Sequence, residues 1–586
     1  MLNRAAFDTA LGRRPADVII RNGKVVNVYS GEIWHTDVAV SDGVFSSFGD
    51  DGALAGPATE IVDATGYYLV PGLIDTHVHT EASKMSLTSY AKAVLPHGTT
   101  VVYSAFDHIA CVLGLDGVRL MLDEAARLPF RVYNPLPCRV PHTIPASTIG
   151  GRIGLSEQTT AFDWPEARGI AEVAFDFLIR DEPELFRAIE ECERRRLLVH
   201  GDGPGRSGAE VDAMLCAGLR DDHEMTTMEQ TVDRIRRGLY VMLRECPVGH
   251  NLAPCLRAIT DAGLSPRRVA LCSDDADATT LVRAGHVDNM VRQIIRSGVD
   301  PVTAIQMATL NGAEALHLDD RIGGIGPGRL ADFLLVENLS EFWVHATYVG
   351  GQRVAQDGKM TVPLSPPPRD NLALSTFSLS PLSADQLVVR TGLPDGTARV
   401  VVMETRDGLV RNRREVELPV RDGVVLPDPA QDVLYISVVE RFRDTGSRST
   451  AFMSGLGLRE GAMAVSNVAD DQNVVCVGAD VESMVTAINR VAALRGAQVV
   501  ARGTEVLAEL ALPVAGCMTD ADPAEVIAAE AELTSAARAL GTQVEIPFSF
   551  LMFTTITTMP FLSLTDKGLV EYGSFEYLNP VLGGVQ

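Results

Sequence analysis

Residues 17–70 carry short apolar runs broken by Gly and Asp turns, DVIIRNGKVVNVYSG, DVAVSDGVFSSFG and EIVDATGYYLVPG, a pattern that predicts short strands of a small β domain. From Leu73 the rhythm changes to a short apolar strand, a loop and a helix-periodic stretch, repeated. The predicted strands are 73–79, 99–108, 131–140, 169–175, 197–202, 219–225, 240–246 and 268–275, and amphipathic stretches such as 183–196 and 227–238 separate most of them. Eight strands alternating with helices predict a (β/α)8 TIM-type barrel over 71–316. Short strands then return in 317–362, which is expected to complete one β-sandwich with residues 1–70. The Pro-rich stretch 363–371 reads as a linker. Beyond it, 372–586 is expected to form an α+β domain, with strands at VVCVGA and QVVARGTEVLAEL and a helix at DVESMVTAINRVAALRG.

An active site in such a barrel lies at the carboxyl ends of the strands. Those ends carry His77 and His79, Asp107 and His108, Glu172, His200 and Asp202, His223, and Asp274 with Asp275. His77 and His79 are two apart on one strand, so both rings face one side and can converge on one ion. Each residue alone reads most simply as a hydrogen-bonded core or loop group; the set together points to a metal centre. Mixed imidazole and carboxylate donors suit manganese, iron or zinc better than calcium. Two ions need an anionic bridge, and no lysine that could be carboxylated lies between residues 93 and 358, which leaves Glu172 as the bridge of a binuclear site. Such a centre would activate water. Asp274 could hold an ion, take the proton of the attacking water and pass it to the leaving nitrogen.

Composition narrows the class. The chain has 586 residues and a formal charge of −25, with 46% hydrophobic and 22% charged residues: ordinary globular composition, large enough for two to four domains. The acidic balance argues against nucleic acid or an anionic membrane surface as partner and fits a small neutral or cationic substrate. All twelve histidines fall at or before His345, which places imidazole chemistry in the barrel half. Nine scattered cysteines with no CxxC pair exclude a disulfide framework or cysteine zinc knuckle. The start lacks the apolar core of a signal peptide, and the apolar stretch around Phe550–Leu562 is short and broken by threonines and Pro560, so a cytoplasmic protein is expected.

VPGLIDTHVH, single histidines on strands five and six, CSDD on strand eight and the later GPGRLADFLLV resemble the amidohydrolase superfamily. More narrowly, HVHTEASKM, PGRSGAEVDAMLCAGLRDDHEMTTMEQ, GLYVMLRE, AGHVDNMVR, AIQMATLNGAE and SGLGLREGAMAVSNVADD resemble the adenine deaminase family, over nearly all of the chain beyond residue 17. The resemblance implies a two-metal hydrolase, often manganese- or iron-dependent, that replaces the 6-amino group of adenine with oxygen, and usually a homo-oligomer. It implies that His77, His79, Glu172, His223 and Asp274 are ligands and that Glu81 and Asp275 are acids near the site. The candidate catalytic set is then Asp274, His223 and Glu81, and the candidate substrate contacts are Asp107, His108, His142 and Asp275.

Three departures from the family pattern stand out. Strand two ends in Ala105-Phe106-Asp107-His108 where the family has Asp-Pro-His-Glu. Strand five has His200-Gly201-Asp202 where the family has Asp-Gly-His; both side chains should face inward, and His200 is the preferred ligand of the two. The 468–473 stretch, VADDQN, lacks the histidines of the family's third domain. Adenine deamination is the leading expectation, hydrolysis of a cyclic amide or another C–N bond in a different nitrogen heterocycle the alternative, and an inactive binding module the third reading. Among the remaining histidines, His97 reads as a loop or supporting residue, His250 and His286 as surface or helix-start residues, and His35, His317 and His345 as structural.

Overall fold

A computed structural model describes residues 3–49, 52–180, 182–406 and 410–585. All eight predicted barrel strands are present: β1 (Leu73–Asp75), β2 (Thr99–Tyr103), β3 (Arg131–Pro137), β4 (Ala167–Ala174), β5 (Leu198–Asp202), β6 (Asp221–Asp222), β7 (Tyr240–Cys246) and β8 (Val269–Cys272). β1 to β5 form one parallel run and β6, β7 and β8 a second. Two seams join the runs. Arg220 N donates to Val199 O at 3.0 Å between β5 and β6, and Val78 pairs with Asp274 where β8 meets β1.

Local sequence explains the helices between strands. Pro183 opens the helix Pro183–Arg195, where a missing N–H costs nothing, and Arg194 and Arg195 sit in its last turn. Thr227 caps the helix Met228–Arg237 by accepting from Gln230 N, and Gly238 ends it at a positive φ of 97°. Ile74, Val101, Tyr103, Met242, Ala270 and Cys272 fill the barrel interior, closed from below by Leu316, Leu318 and Ile322.

Strands from both sides of the barrel share a seven-stranded sheet, with Tyr68–Pro71 paired to Phe333–Val336. A four-stranded sheet from Val18–Arg21, Val38–Ser41, Val44–Phe48 and Glu60–Asp63 packs on it through Ile20, Val25, Phe45, Leu69 and Phe333. The C-terminal part is an eleven-stranded sheet with the helices Val481–Ala493 and Pro523–Ala539. Asp480 caps the first helix by accepting from Ser483 N at 2.8 Å.

This C-terminal part sits on the barrel mouth. Ser86 N donates to Thr519 O and Thr519 N to Lys84 O, each at 2.8 Å, and Ile144 N donates to Thr557 Oγ1 at 2.7 Å. Arg369, in the Pro-rich stretch, ties the two sides together through Glu124 at 2.8 Å and Asp520 at 2.6 Å. No helix among the described residues is long and apolar enough to cross a membrane.

Candidate active site

Two of the barrel strands stop short of the residues that carry chemistry. β1 ends at Asp75, two residues before His77, and β8 at Cys272, two before Asp274. The β4–β5 register shifts between Ile170 and Val173, and Glu172 sits in that irregularity at φ +60°. Asp274 has φ +52° and Phe106, just before Asp107, has φ +58°. Non-glycine residues held in the left-handed region carry strain, and such strain clusters at functional sites.

Three rings and several carboxylates converge there. His77 Nε2 lies 3.3 Å from Glu172 Oε1 and 3.6 Å from Asp274 Oδ1. His79 Nε2 lies 3.5 Å from the same Asp274 oxygen and 3.9 Å from Glu172 Oε1. The rings of His77 and His223 stack at 4.1 Å. Four overlapping ligand sets have metal-binding spacing: His77–His79–Asp274, His77–Glu172–His223, His79–Asp107–Glu172 and Asp202–His223–Glu224. Glu172 belongs to two of them, as a bridging group must.

Hydrogen bonding within the protein does not satisfy this cluster. His77 Nε2, His79 Nδ1, both carboxylate oxygens of Asp107, His108 Nδ1, His142 Nε2, Glu172 Oε1, Arg244 Nε and Asp275 Oδ1 are buried without a hydrogen bond of normal geometry. Buried polar atoms are rarely left so, and this many in one place fit donors arranged for cations.

Charge says the same. The cavity, of about 100 Å³, is lined by seven carboxylates (Asp107, Glu172, Asp202, Glu224, Asp274, Asp275 and Asp470) and by one permanent cation, Arg244. Burial pushes Asp275 up to about 7, with Asp274 adding to it, and burial with Glu224 and Glu172 lifts Asp202 well above the usual carboxylate range. Burial opposes charge on His223, but Glu224, Asp274 and Glu172 outweigh it and raise the ring to about 10. Burial, then His79, depresses His108 to about 3. A pocket with this excess of buried negative charge calls for divalent cations.

The structure separates the predicted residues. His77, His79, Asp107, Glu172, Asp202, His223 and Asp274 meet in the ligand sets, and His108, His142 and Asp275 line or border the same cavity. His200 does not join them, which corrects its preference over Asp202. Its Nδ1 is 2.7 Å from Asp221 Oδ2 and its Nε2 2.6 Å from the Tyr103 hydroxyl, so both ring nitrogens are already engaged. Glu81 is fully buried behind the cavity, where its Oε1 accepts from Ile109 N at 3.4 Å, and burial raises its carboxyl to about 7. His286 is not a surface residue. It is 3% exposed and bonded to Thr99, Ser273 and Asp75, although it does begin a helix, Val287–Arg296.

Arg244 and Glu224 escaped the sequence reading. Arg244 Nη1 binds Asp274 Oδ2 at 2.8 Å and Glu224 Oε1 at 2.6 Å. Burial opposes ionisation of Asp274, but Arg244 foremost holds its carboxyl well below the usual range. The strand-end rule, applied to β7 as to the other strands, points to Arg244. The outer wall is built by Ala469 and Asp470, from the departing 468–473 stretch, and by Phe553, Ile556, Thr558 and Met559 of the C-terminal part, which the sequence did not mark. The histidine-poor VADDQN loop is therefore at the site, braced by Arg441 Nε on Gln472 O and by Asn473 Nδ2 on Thr148 O.

Residues 68–354 match the amidohydrolase family and residues 408–576 the adenine deaminase C-terminal domain. Along 97% of its length the chain is 41% identical to adenine deaminase 4 of Rhizobium meliloti (strain 1021), covering 96% of that protein. It is 38% identical to adenine deaminase 1 of Desulfotalea psychrophila and 37% to adenine deaminase 1 of Latilactobacillus sakei subsp. sakei, in both cases over 97% of this chain and 96% of the relative.

Proposed function

The chain belongs to the adenine deaminase family, within the amidohydrolases, and from that premise we propose that it hydrolyses adenine at C6, releasing ammonia and hypoxanthine. The observation that carries the proposal is the convergence of unpartnered buried atoms from His77, His79 and Glu172 at the carboxyl ends of the barrel strands, in a chain aligned end to end with this family. That kinship does not favour a different heterocycle, and a cluster with its donors in place does not favour an inactive module.

His77, His79 and Asp274 would hold one divalent ion, and His223 with Asp202 or Glu224 a second, with Glu172 between them. Imidazole and carboxylate donors without thiolate suit manganese or iron, with zinc as the third candidate. When bound, the ions supply Lewis-acid activation of water and of the ring C–N bond. The rest falls to the protein. Arg244 keeps Asp274 ionised and fixes its orientation, so the carboxylate can take the proton of the attacking water and deliver it to the departing amine. His108, His142, Asp275 and Asp470 face the space in which a purine edge would lie, and Phe177, Phe553 and Ile556 supply its apolar walls. The nine cysteines, all unbridged, fit the reducing cytoplasm.

The test is incubation of metal-loaded protein with adenine, following ammonia and hypoxanthine. Stoichiometric release of both is expected; no turnover by fully loaded protein would overturn the assignment.

A further inference from the structure

Asp107 belongs to the strand-two segment that departs from the family pattern, and its surroundings give it a task other than touching substrate. It starts the helix Asp107–Leu113 at the end of β2 and is 6% exposed. Its two oxygens point at two different imidazoles: Oδ2 lies 3.3 Å from His79 Nδ1 and Oδ1 3.3 Å from His142 Nε2. The other nitrogen of His79, Nε2, faces Asp274 Oδ1 at 3.5 Å and Glu172 Oε1 at 3.9 Å, inside the ligand cluster. The ring is thus divided, with one nitrogen toward the cluster and the other toward a buried carboxylate.

A neutral imidazole carries one proton, and an ion can bind only the nitrogen without it. A carboxylate beside Nδ1 places the proton there, leaves the Nε2 lone pair free and fixes the ring plane. We propose that Asp107 is a positioning residue for His79, selecting the Nδ1–H tautomer so that Nε2 serves as the metal ligand. This rests on the metal-dependent reading above but not on adenine as substrate. The 3.3 Å contact is long for N–H···O, and contacts of this kind in catalytic sites commonly tighten only in the working complex. Two further features favour this role. Among the described residues both ion pairs of Asp107 are with histidines, and no arginine or lysine competes for it. His142, on the far oxygen, steadies the carboxylate and enters none of the four ligand sets, whereas Asp107 enters one, with His79 and Glu172; the tautomer of His79 separates that ligand role from a positioning one.

The experiment is Asp107→Asn in the full-length protein. Metal affinity is measured by chelator competition with manganese and with zinc, in the absence of adenine. Affinity should fall about 10–100-fold, the usual cost of removing an outer partner of a metal-bound histidine, while the melting temperature of the metal-free protein and the KM for adenine at saturating metal stay near wild type. Unchanged metal affinity with a raised KM would overturn the proposal and make Asp107 a substrate contact. A fall in affinity matched by a lower metal-free melting temperature would also overturn it, by making the effect structural. If the variant does not fold, nitrogen NMR of zinc-loaded wild-type protein labelled with 15N-histidine decides. A protonated Nδ1 and metal-bound Nε2 on His79 support the proposal, and the opposite tautomer defeats it. Because neither the affinity nor the tautomer requires turnover, failure here is distinguishable from failure of the deaminase assignment.

Discussion

Two histidine–carboxylate clusters lie side by side in the chain, Asp75 two residues before His77 and Ser273 one before Asp274, and they differ in what their atoms bind. In the lower one Asp75 Oδ1 accepts from Ser273 N at 3.1 Å, and its Oδ2 accepts from Ser273 Oγ at 2.5 Å and lies 2.8 Å from His286 Nε2. His286 Nδ1 meets Thr99 Oγ1 at 2.8 Å, and none of the side-chain atoms of Asp75, Ser273 and His286 is left unpartnered. In the upper one, made of His77, His79, Glu172 and Asp274 with their neighbours, buried donors and acceptors stand unpaired. The residue types are the same. Satisfaction of hydrogen bonds, not identity, separates a cluster that holds the barrel together from one arranged for a ligand.

Substitutions should therefore divide cleanly between the two. In the upper cluster Asp274→Asn removes both a metal donor and the proton acceptor. Turnover should fall about 10²–10⁴-fold or more with the metal-free melting temperature unchanged; near-normal activity would remove the proton-transfer role of Asp274. Glu172→Gln should cost at least about 100-fold in activity and reduce the metal content of the purified protein, since loss of a shared donor exceeds loss of an outer partner. Metal analysis reads that directly, and full occupancy would dismiss the bridge. In the lower cluster the sign reverses. His286→Ala leaves the buried Asp75 without one of its hydrogen-bond partners and should destabilise the protein by about 1–3 kcal/mol, while residual folded protein keeps its metal. Denaturant unfolding and metal content measured on the same sample would expose any failure of the distinction.

The same contrast explains how far the sequence could be read. The barrel was legible because eight apolar runs recur at even spacing, and His77, His79, Glu172, His223 and Asp274 because each follows such a run. The choice between His200 and Asp202 was not, because it depends on Tyr103 on β2 and Asp221 on β6, which the pattern of β5 alone does not reveal. Burial of His286 was hidden for the same reason: its partners come from β1, β2 and the end of β8. Strand pattern gives the direction in which a side chain points, but not what waits for it there. The contribution of residues 469–470 was less legible still, since it depends on how the C-terminal part sits on the barrel mouth.

That outer wall yields the smallest predicted effect and the sharpest test of where metal handling gives way to substrate reading. Asp470 has φ +69° and lines the cavity, yet it belongs to none of the four ligand sets. Burial raises its carboxyl to about 6; His142 opposes the rise, and Glu172 and Asp107 add to it. Above that pH it is a carboxylate that can accept an N–H from a purine; below it the protonated form donates instead. Asp470→Asn should therefore raise KM roughly 3–10-fold, the worth of about one hydrogen bond, with metal content and kcat nearly unchanged. Wild-type KM should climb as pH falls through about 6, and the Asn variant, already uncharged, should lack that climb. If the variant instead loses metal, the boundary drawn here between ligand cluster and substrate wall is in the wrong place. If both proteins show the same pH profile, the titrating group is another of the buried acids, and Asp275, pushed up to about 7 and lining the same cavity, becomes the next residue to change.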